Sequence, residues 1–210
     1  MPPRAVLFDL DNTLHDRDAG VAAFLRTQHA ALDLPIPFEA WRARFVALER
    51  RGRVWKDVVY RDLVAGFGLD HDPAALLADY EAGFAGHVVP FGNPRETLRT
   101  LRERGWRTGI VSNGRAAFQR ATLGALGIDD LIDTVIISAE VDLRKPDPAI
   151  FRLALDRLGC EAGASWFVGD DPEADVAGAR GVGMQALWFQ PGEPEAVGRL
   201  ADIPRLVGPS

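Results

Sequence analysis

At 210 residues, 47% hydrophobic and 26% charged, the chain has the composition of an ordinary folded protein, long enough for one large domain or a domain carrying an insert, and an ordered chain is expected. A net charge of -6 argues against a nucleic-acid backbone or an anionic membrane as the main partner, because neither attracts an acidic protein. Cys160 is the one cysteine, so no internal disulfide forms, and the first residues lack the longer apolar stretch of a signal peptide; a cytoplasmic protein is expected.

The first predicted element is a strand over Ala5–Phe8, followed at once by Asp9-Leu10-Asp11-Asn12-Thr13. The turn-forming residues Asp, Asn and Thr end the apolar run there, so both acids are delivered to the carboxyl end of the strand. In an open α/β sheet that end is where ligands bind, and two acids held together there repel, titrate oddly or share a cation. A plain strand, Asx turn and helix cap would read the same way locally. From about Asp16 to Val89 no strand is expected, only helical periodicity through Val21, Phe24, Leu25, Phe45, Leu48, Leu63, Leu76, Leu77, Tyr80 and Phe84. This reads as a helical insert. Its boundaries are expected near His15–Gly20 and in Val89-Pro90-Phe91-Gly92-Asn93-Pro94, where Pro and Gly suit a hinge.

Beyond the insert, Pro94 and Gly105 bracket a helix over Arg95–Arg104, and a strand over Thr108–Val111 leads into Ser112-Asn113-Gly114. A hydroxyl and exposed backbone N–H groups at a strand's carboxyl end suit phosphate oxygens, although Asn-Gly is also a common turn pair. A strand over Val135–Ile137 is followed by Arg144-Lys145-Pro146-Asp147-Pro148. Pro146 holds Lys145 extended, Asp147 is positioned to cap a helix starting at Pro148 and ending at Gly159, and the ammonium of Lys145 is thus rigidly presented. A strand over Trp166–Val168 then opens into Gly169-Asp170-Asp171-Pro172-Glu173-Ala174-Asp175, an acid density that needs a compensating cation; a helix whose first turn matches the macrodipole accounts for Glu173. A last strand is expected over Ala186–Phe189. Strands alternating with helices predict a parallel α/β sheet.

The four strand ends carry Asp-x-Asp-x-Thr, Ser, Lys-Pro-Asp-Pro and Gly-Asp-x-x-x-x-Asp in that order, and the chain thereby resembles the haloacid dehalogenase superfamily of phosphatases over Arg4–Leu14 and roughly Phe91–Phe189. The resemblance implies a Rossmann-like three-layer α/β/α core, residues 1–15 with 90–210, around a five-stranded parallel sheet, and a helical cap over 16–89. It implies Asp9 as nucleophile, with an aspartyl-phosphate intermediate, and Asp11 as general acid and then base. It implies Mg²⁺ held by Asp9, the Asp11 carbonyl and Asp170, with Asp175 as ligand or support, Thr13 supporting and Asp171 in a variable position. Ser112, the Asn113 backbone and Lys145 would hold the transferring oxygens. The implied substrate is a small phosphomonoester such as a sugar phosphate, nucleoside monophosphate or phosphoglycolate, with no nucleic-acid or membrane partner, in a monomer or homodimer. Dehalogenating relatives keep no acid at the position of Asp11. A phosphomutase shares the core residues; a catalytically silent binding protein usually lacks one of them, and none is missing here. In the insert, Arg26, Arg42, Arg44, Arg50, Arg51, Arg53, Lys56 and Arg61 beside Trp41 and Trp55 are candidates for gripping the substrate, or else solvated helix faces.

Overall fold

Runs such as Ala5-Val6-Leu7-Phe8 are apolar at every position, not at alternate ones, and a strand of that kind is stable only with both faces covered. The computed structural model describes residues 3–208 and shows this arrangement. It has strands β1 (Ala5–Phe8), β2 (Arg107–Ser112), β3 (Thr134–Ile137), β4 (Trp166–Gly169) and β5 (Gln185–Trp188) in one parallel sheet, ordered β3-β2-β1-β4-β5. The helices are α1 (Arg17–Ala31), α2 (Phe38–Glu49), α3 (Lys56–Phe67), α4 (Pro73–Gly83), α5 (Pro94–Glu103), α6 (Ala116–Leu126), α7 (Ser138–Val141), α8 (Pro148–Leu158), α9 (Gly178–Gly181) and α10 (Ile203–Leu206).

Side chains alternate across the sheet, so each face has its own apolar layer. Val6, Phe8, Ile110 and Val168 pack with Leu98 and Leu101 of α5, Leu123 of α6 and Ile203 of α10. Leu7, Val111, Ile136 and Phe167 pack on the other face with Ile150, Phe151, Ala154 and Leu155 of α8. The result is a three-layer α/β/α sandwich. All five expected strands are present, each within a residue or two of its expected bounds. The two bracketed helices form as well, capped at their starts by Asn93 and Asp147, whose side chains accept from Glu96 N and Ala149 N.

The chain divides into two compact units, Met1–Arg17 with Val88–Ser210, and Asp18–His87. In the first, the outgoing and returning segments pair: Asp16 N donates to Val89 O at 2.7 Å and Phe91 N to Leu14 O at 3.0 Å. The second is the helical insert, built on aromatic contacts such as Phe24–Tyr80 at 5.0 Å and Phe45–Tyr60 at 5.5 Å. Two expectations there need correction. Trp41 is fully buried in this core and has no surface to offer a ligand, and Lys56 donates to the buried Glu49 at 2.7 Å. Leu48 and Leu77, expected on apolar faces, are half-buried. No helix among the described residues is long and apolar enough to cross a membrane.

Because Ile110 is fully buried in the central layer, Ile110→Ala should lower stability by about 2–5 kcal/mol, the range for truncating a packed aliphatic side chain. Urea denaturation followed by tryptophan fluorescence checks this; a loss under about 1 kcal/mol would mean that the layer refills the space.

Candidate active site

The strand order reverses between β1 and β4, and in open α/β sheets ligands bind at the carboxyl ends of the strands at such a switch point. Asp9 stands directly after β1, with its N–H still donating to Val168 O of β4 at 2.9 Å. The chain then turns tightly. Leu14 N and His15 N both donate to Leu10 O, and Asn12 takes a left-handed φ of 56°, which Asn tolerates better than most residues. Asn12 Oδ1 accepts from Arg17 N at 3.1 Å and ties the turn to the start of α1. This brings Asp9, buried, and Asp11, half-buried, to one end of the sheet.

Lys145 reaches the same place from the loop after β3 and α7. Its ammonium lies 2.5 Å from Asp9 Oδ1 and 2.7 Å from Asp175 Oδ1, with the Phe167 ring 5.3 Å away. The Lys145–Pro146 peptide is cis, and Asp147 caps α8 immediately beyond it. The main chain of Lys145 is also gripped by the Asn113 side chain: Asn113 Nδ2 donates to Lys145 O and Lys145 N donates to Asn113 Oδ1, both at 3.0 Å. The resemblance assigned Asn113 a role through its backbone; the structure adds this side-chain role.

Asp175 arrives on a turn wider than an α-helix. Over Pro172–Ala177 the backbone is π-helical, with Asp175 N and Val176 N both donating to Asp171 O. The Asp171 side chain caps this turn, accepting from Glu173 N at 2.9 Å and Ala174 N at 3.0 Å. Asp175 Oδ2 accepts from Asp171 N at 3.1 Å, while Oδ1 forms an ion pair with the Lys145 ammonium at 2.7 Å but accepts no hydrogen bond. Gly169 makes room for it, since a Cβ at that position would overlap the Asp175 carboxylate. Asp170 is half-buried at the end of β4, its carbonyl accepting from Trp188 Nε1 at 3.0 Å.

Oxygens of Asp9, Asp170 and Asp175 lie within 4.8 Å of one another. One ammonium among three carboxylates leaves an excess of negative charge, and hard oxygen donors at this spacing fit a divalent cation such as Mg²⁺, Mn²⁺ or Ca²⁺. The electrostatics agree. Burial is the main influence raising the Asp9 carboxyl well above its ordinary range; Lys145 opposes it and Asp175 and Asp170 add to it. For Lys145, burial favours the neutral amine, but Asp175 and Asp9 outweigh it and hold the ammonium above its ordinary value. Ser112, at the end of β2, and Thr13 are buried with hydroxyls that have no protein partner.

The arrangement therefore gathers Asp9, Lys145, Asp170 and Asp175 directly, with Asn113 and Asp171 supporting. Gln119, Trp188 and Phe167 belong to the site although no sequence pattern marked them. Gln119 Nε2 donates to Asp11 Oδ2 at 2.8 Å. Nothing local signals that contact, because its partners are 108 residues apart.

A family model for haloacid dehalogenase-like hydrolases matches residues 3–183. The ribulose-1,5-bisphosphate 5-phosphatase of Halopiger xanaduensis is 34% identical, across 94% of this chain and 89% of that protein. The phosphoglycolate phosphatase of Rhodospirillum rubrum is 35% identical, across 95% and 86%. Among solved structures, a phosphatase of this family from Thermococcus onnurineus superposes with a TM-score of 0.67 at 30% identity, covering 98% of each chain.

The excess negative charge predicts that a divalent cation raises the melting temperature and a chelator lowers it. It also sets a pH dependence for the chelated protein. The Asp9 carboxyl is raised on folding, so its contribution to stability is complete below the unfolded carboxyl's pKa, about 3.9. That contribution is lost as pH rises through the elevated folded value. Urea titrations in EDTA between about pH 4 and 8 should show wild-type stability, measured relative to Asp9→Asn, declining as pH rises. A difference that stayed flat or grew would contradict the assigned direction.

Proposed function

The chain belongs to the haloacid dehalogenase-like hydrolases, and on that basis we propose that it hydrolyses a small phosphomonoester, of the sugar-phosphate or phosphoglycolate kind, with Asp9 as the nucleophile. The observation that carries this reading is the buried Asp9 carboxylate paired with Lys145 at 2.5 Å, two residues before an Asp11 whose Oδ1 has no partner.

In the first step an Asp9 oxygen bonds to phosphorus while the ester P–O bond breaks, and the leaving oxygen takes a proton from Asp11. The phosphoryl group now sits on Asp9 as an acyl phosphate. In the second step Asp11, ionised, takes a proton from water as the water oxygen bonds to phosphorus and the Asp9–phosphoryl bond breaks. Inorganic phosphate leaves and Asp11 is protonated again. Lys145, the Ser112 hydroxyl and the Asn113 backbone would hold the transferring oxygens, the electrostatic part of the barrier reduction. Asp9, Asp170 and the Asp11 carbonyl would hold Mg²⁺, whose charge keeps Asp9 ionised beside a phosphate dianion. Asp175 would serve as a further ligand or as a support, its Oδ2 held by Asp171 N and its Oδ1 ion-paired with Lys145.

Asp11 also weighs against a dehalogenase, which has no leaving alcohol to protonate. Substrate selection is proposed for the helical insert. Arg44, Arg51, Arg53 and Lys56 are the candidates there.

With p-nitrophenyl phosphate, wild type should turn over in Mg²⁺ and stop in EDTA. Asp9→Asn should reduce turnover to background, and Asp11→Asn should lower kcat by about 10²–10⁴-fold, the usual worth of one acid–base group. Turnover by Asp9→Asn near the wild-type rate would eliminate the mechanism. A screen of phosphorylated sugars, phosphoglycolate and nucleoside monophosphates then ranks substrates by kcat/KM.

A further inference from the structure

Gln119 lies on α6 outside every motif, yet its carboxamide is buried beside Asp11. Nε2 donates to Asp11 Oδ2 at 2.8 Å, while Gln119 Oε1 and Asp11 Oδ1 are both buried without a partner. A glutamine kept for packing alone would be a poor choice at such a position, since an apolar side chain fills the space without burying an unpaired oxygen. The preceding loop is shaped around the amide. A Cβ at position 114 would lie 2.5 Å from Gln119 Nε2 and 2.7 Å from its Cγ, so Gly114 is what admits it.

We infer that Gln119 is a positioning residue for Asp11: its N–H occupies Oδ2, so that the proton Asp11 gives and takes back resides on Oδ1. The inference rests on the proposed acid–base role of Asp11. The terminal torsion of an aspartate is soft, and without a fixed partner its two oxygens exchange places readily. An amide N–H bonded to Oδ2 satisfies the carbonyl oxygen of the protonated acid and cannot itself accept a proton. In the first step the Oδ1–H bond breaks and its proton passes to the leaving oxygen; in the second, Oδ1 regains a proton from water.

Gln119→Met removes the donor at similar volume, and Gly114→Ala keeps Gln119 but pushes its amide aside. Each is compared with wild type in single turnover on phenyl phosphate and p-nitrophenyl phosphate, which have similar shapes but leaving groups that differ in their need for a proton. Both variants should slow phenol release by about tenfold or more while changing nitrophenolate release by less than about threefold. In steady state the loss should fall on kcat, with KM within about threefold. Equal slowing of both substrates, no slowing, or a loss confined to KM would overturn the inference. A crystal structure of Gln119→Met gives a readout independent of activity: the Asp11 carboxylate should be rotated or split between orientations, and a single unchanged orientation would also overturn it. If Gln119→Met does not fold, Gly114→Ala carries both measurements. Retained turnover in Asp9→Asn would instead sink the mechanism, and the crystal structure would still decide the role of Gln119.

Discussion

The Lys145 ammonium, almost wholly buried between Asp9 and Asp175, is the interaction around which the rest of the site is arranged. A charge in that environment persists only when paired and hydrogen-bonded, and removing one partner of such a pair typically costs about 3–5 kcal/mol because the other charge is left uncompensated. The loop after β1, the loop after α7 and the π-turn after β4 are therefore referenced to a single nitrogen atom. Asn113, on the loop after β2, locks the Lys145 main chain and brings in the fourth. The pairing is also asymmetric: two carboxylates face one ammonium, with Asp170 close by. That residual charge is a requirement built into the fold, and it points to a cation and, beyond it, to an anionic substrate whose charge must be managed in turn.

Such a cluster needs a rigid base, and the sheet provides one. Every strand contributes side chains to two apolar layers, so neither face is free to shift without opening the other. The strand order reverses between β1 and β4, the strands at whose ends Asp9 and Asp170 emerge. Close packing continues up to the charged atoms: Phe167, in the layer under α8, lies 5.3 Å from the Lys145 ammonium, and Gly169 leaves room for the Asp175 carboxylate and nothing more.

The helical unit is stabilised differently. Its centre is aromatic, with Tyr60 and Gln28 forming a buried hydrogen bond of 2.9 Å and Gln28 reaching Leu76 O and Asp79. Charge has been drawn inward there too, through the Glu49–Lys56 pair beside the Phe45 and Tyr80 rings. A lysine that counts as surface charge in the sequence is thus part of the framework.

What the sequence determined by itself is whatever depends on near neighbours along the chain. Continuous apolar runs marked the five strands, Pro and Gly marked the helix ends, and Asp147-Pro148 marked its own cap, because strand burial, φ restriction and capping all act within a few residues. The acids and the lysine were legible for the same reason, each standing at the end of a recognisable strand or turn. The tertiary structure alone decided how they are used. It gave the Asn113 side chain to Lys145, set Gln119 against Asp11, employed Asp171 as a cap and tied Asp175 Oδ2 to the Asp171 N–H. These outcomes rest on contacts between residues far apart in the chain, or on a π-turn that no propensity distinguishes from an ordinary helical start. Local preferences name the elements and their ends, whereas the partner of a buried polar atom is chosen by whichever distant group the packed layers bring within reach.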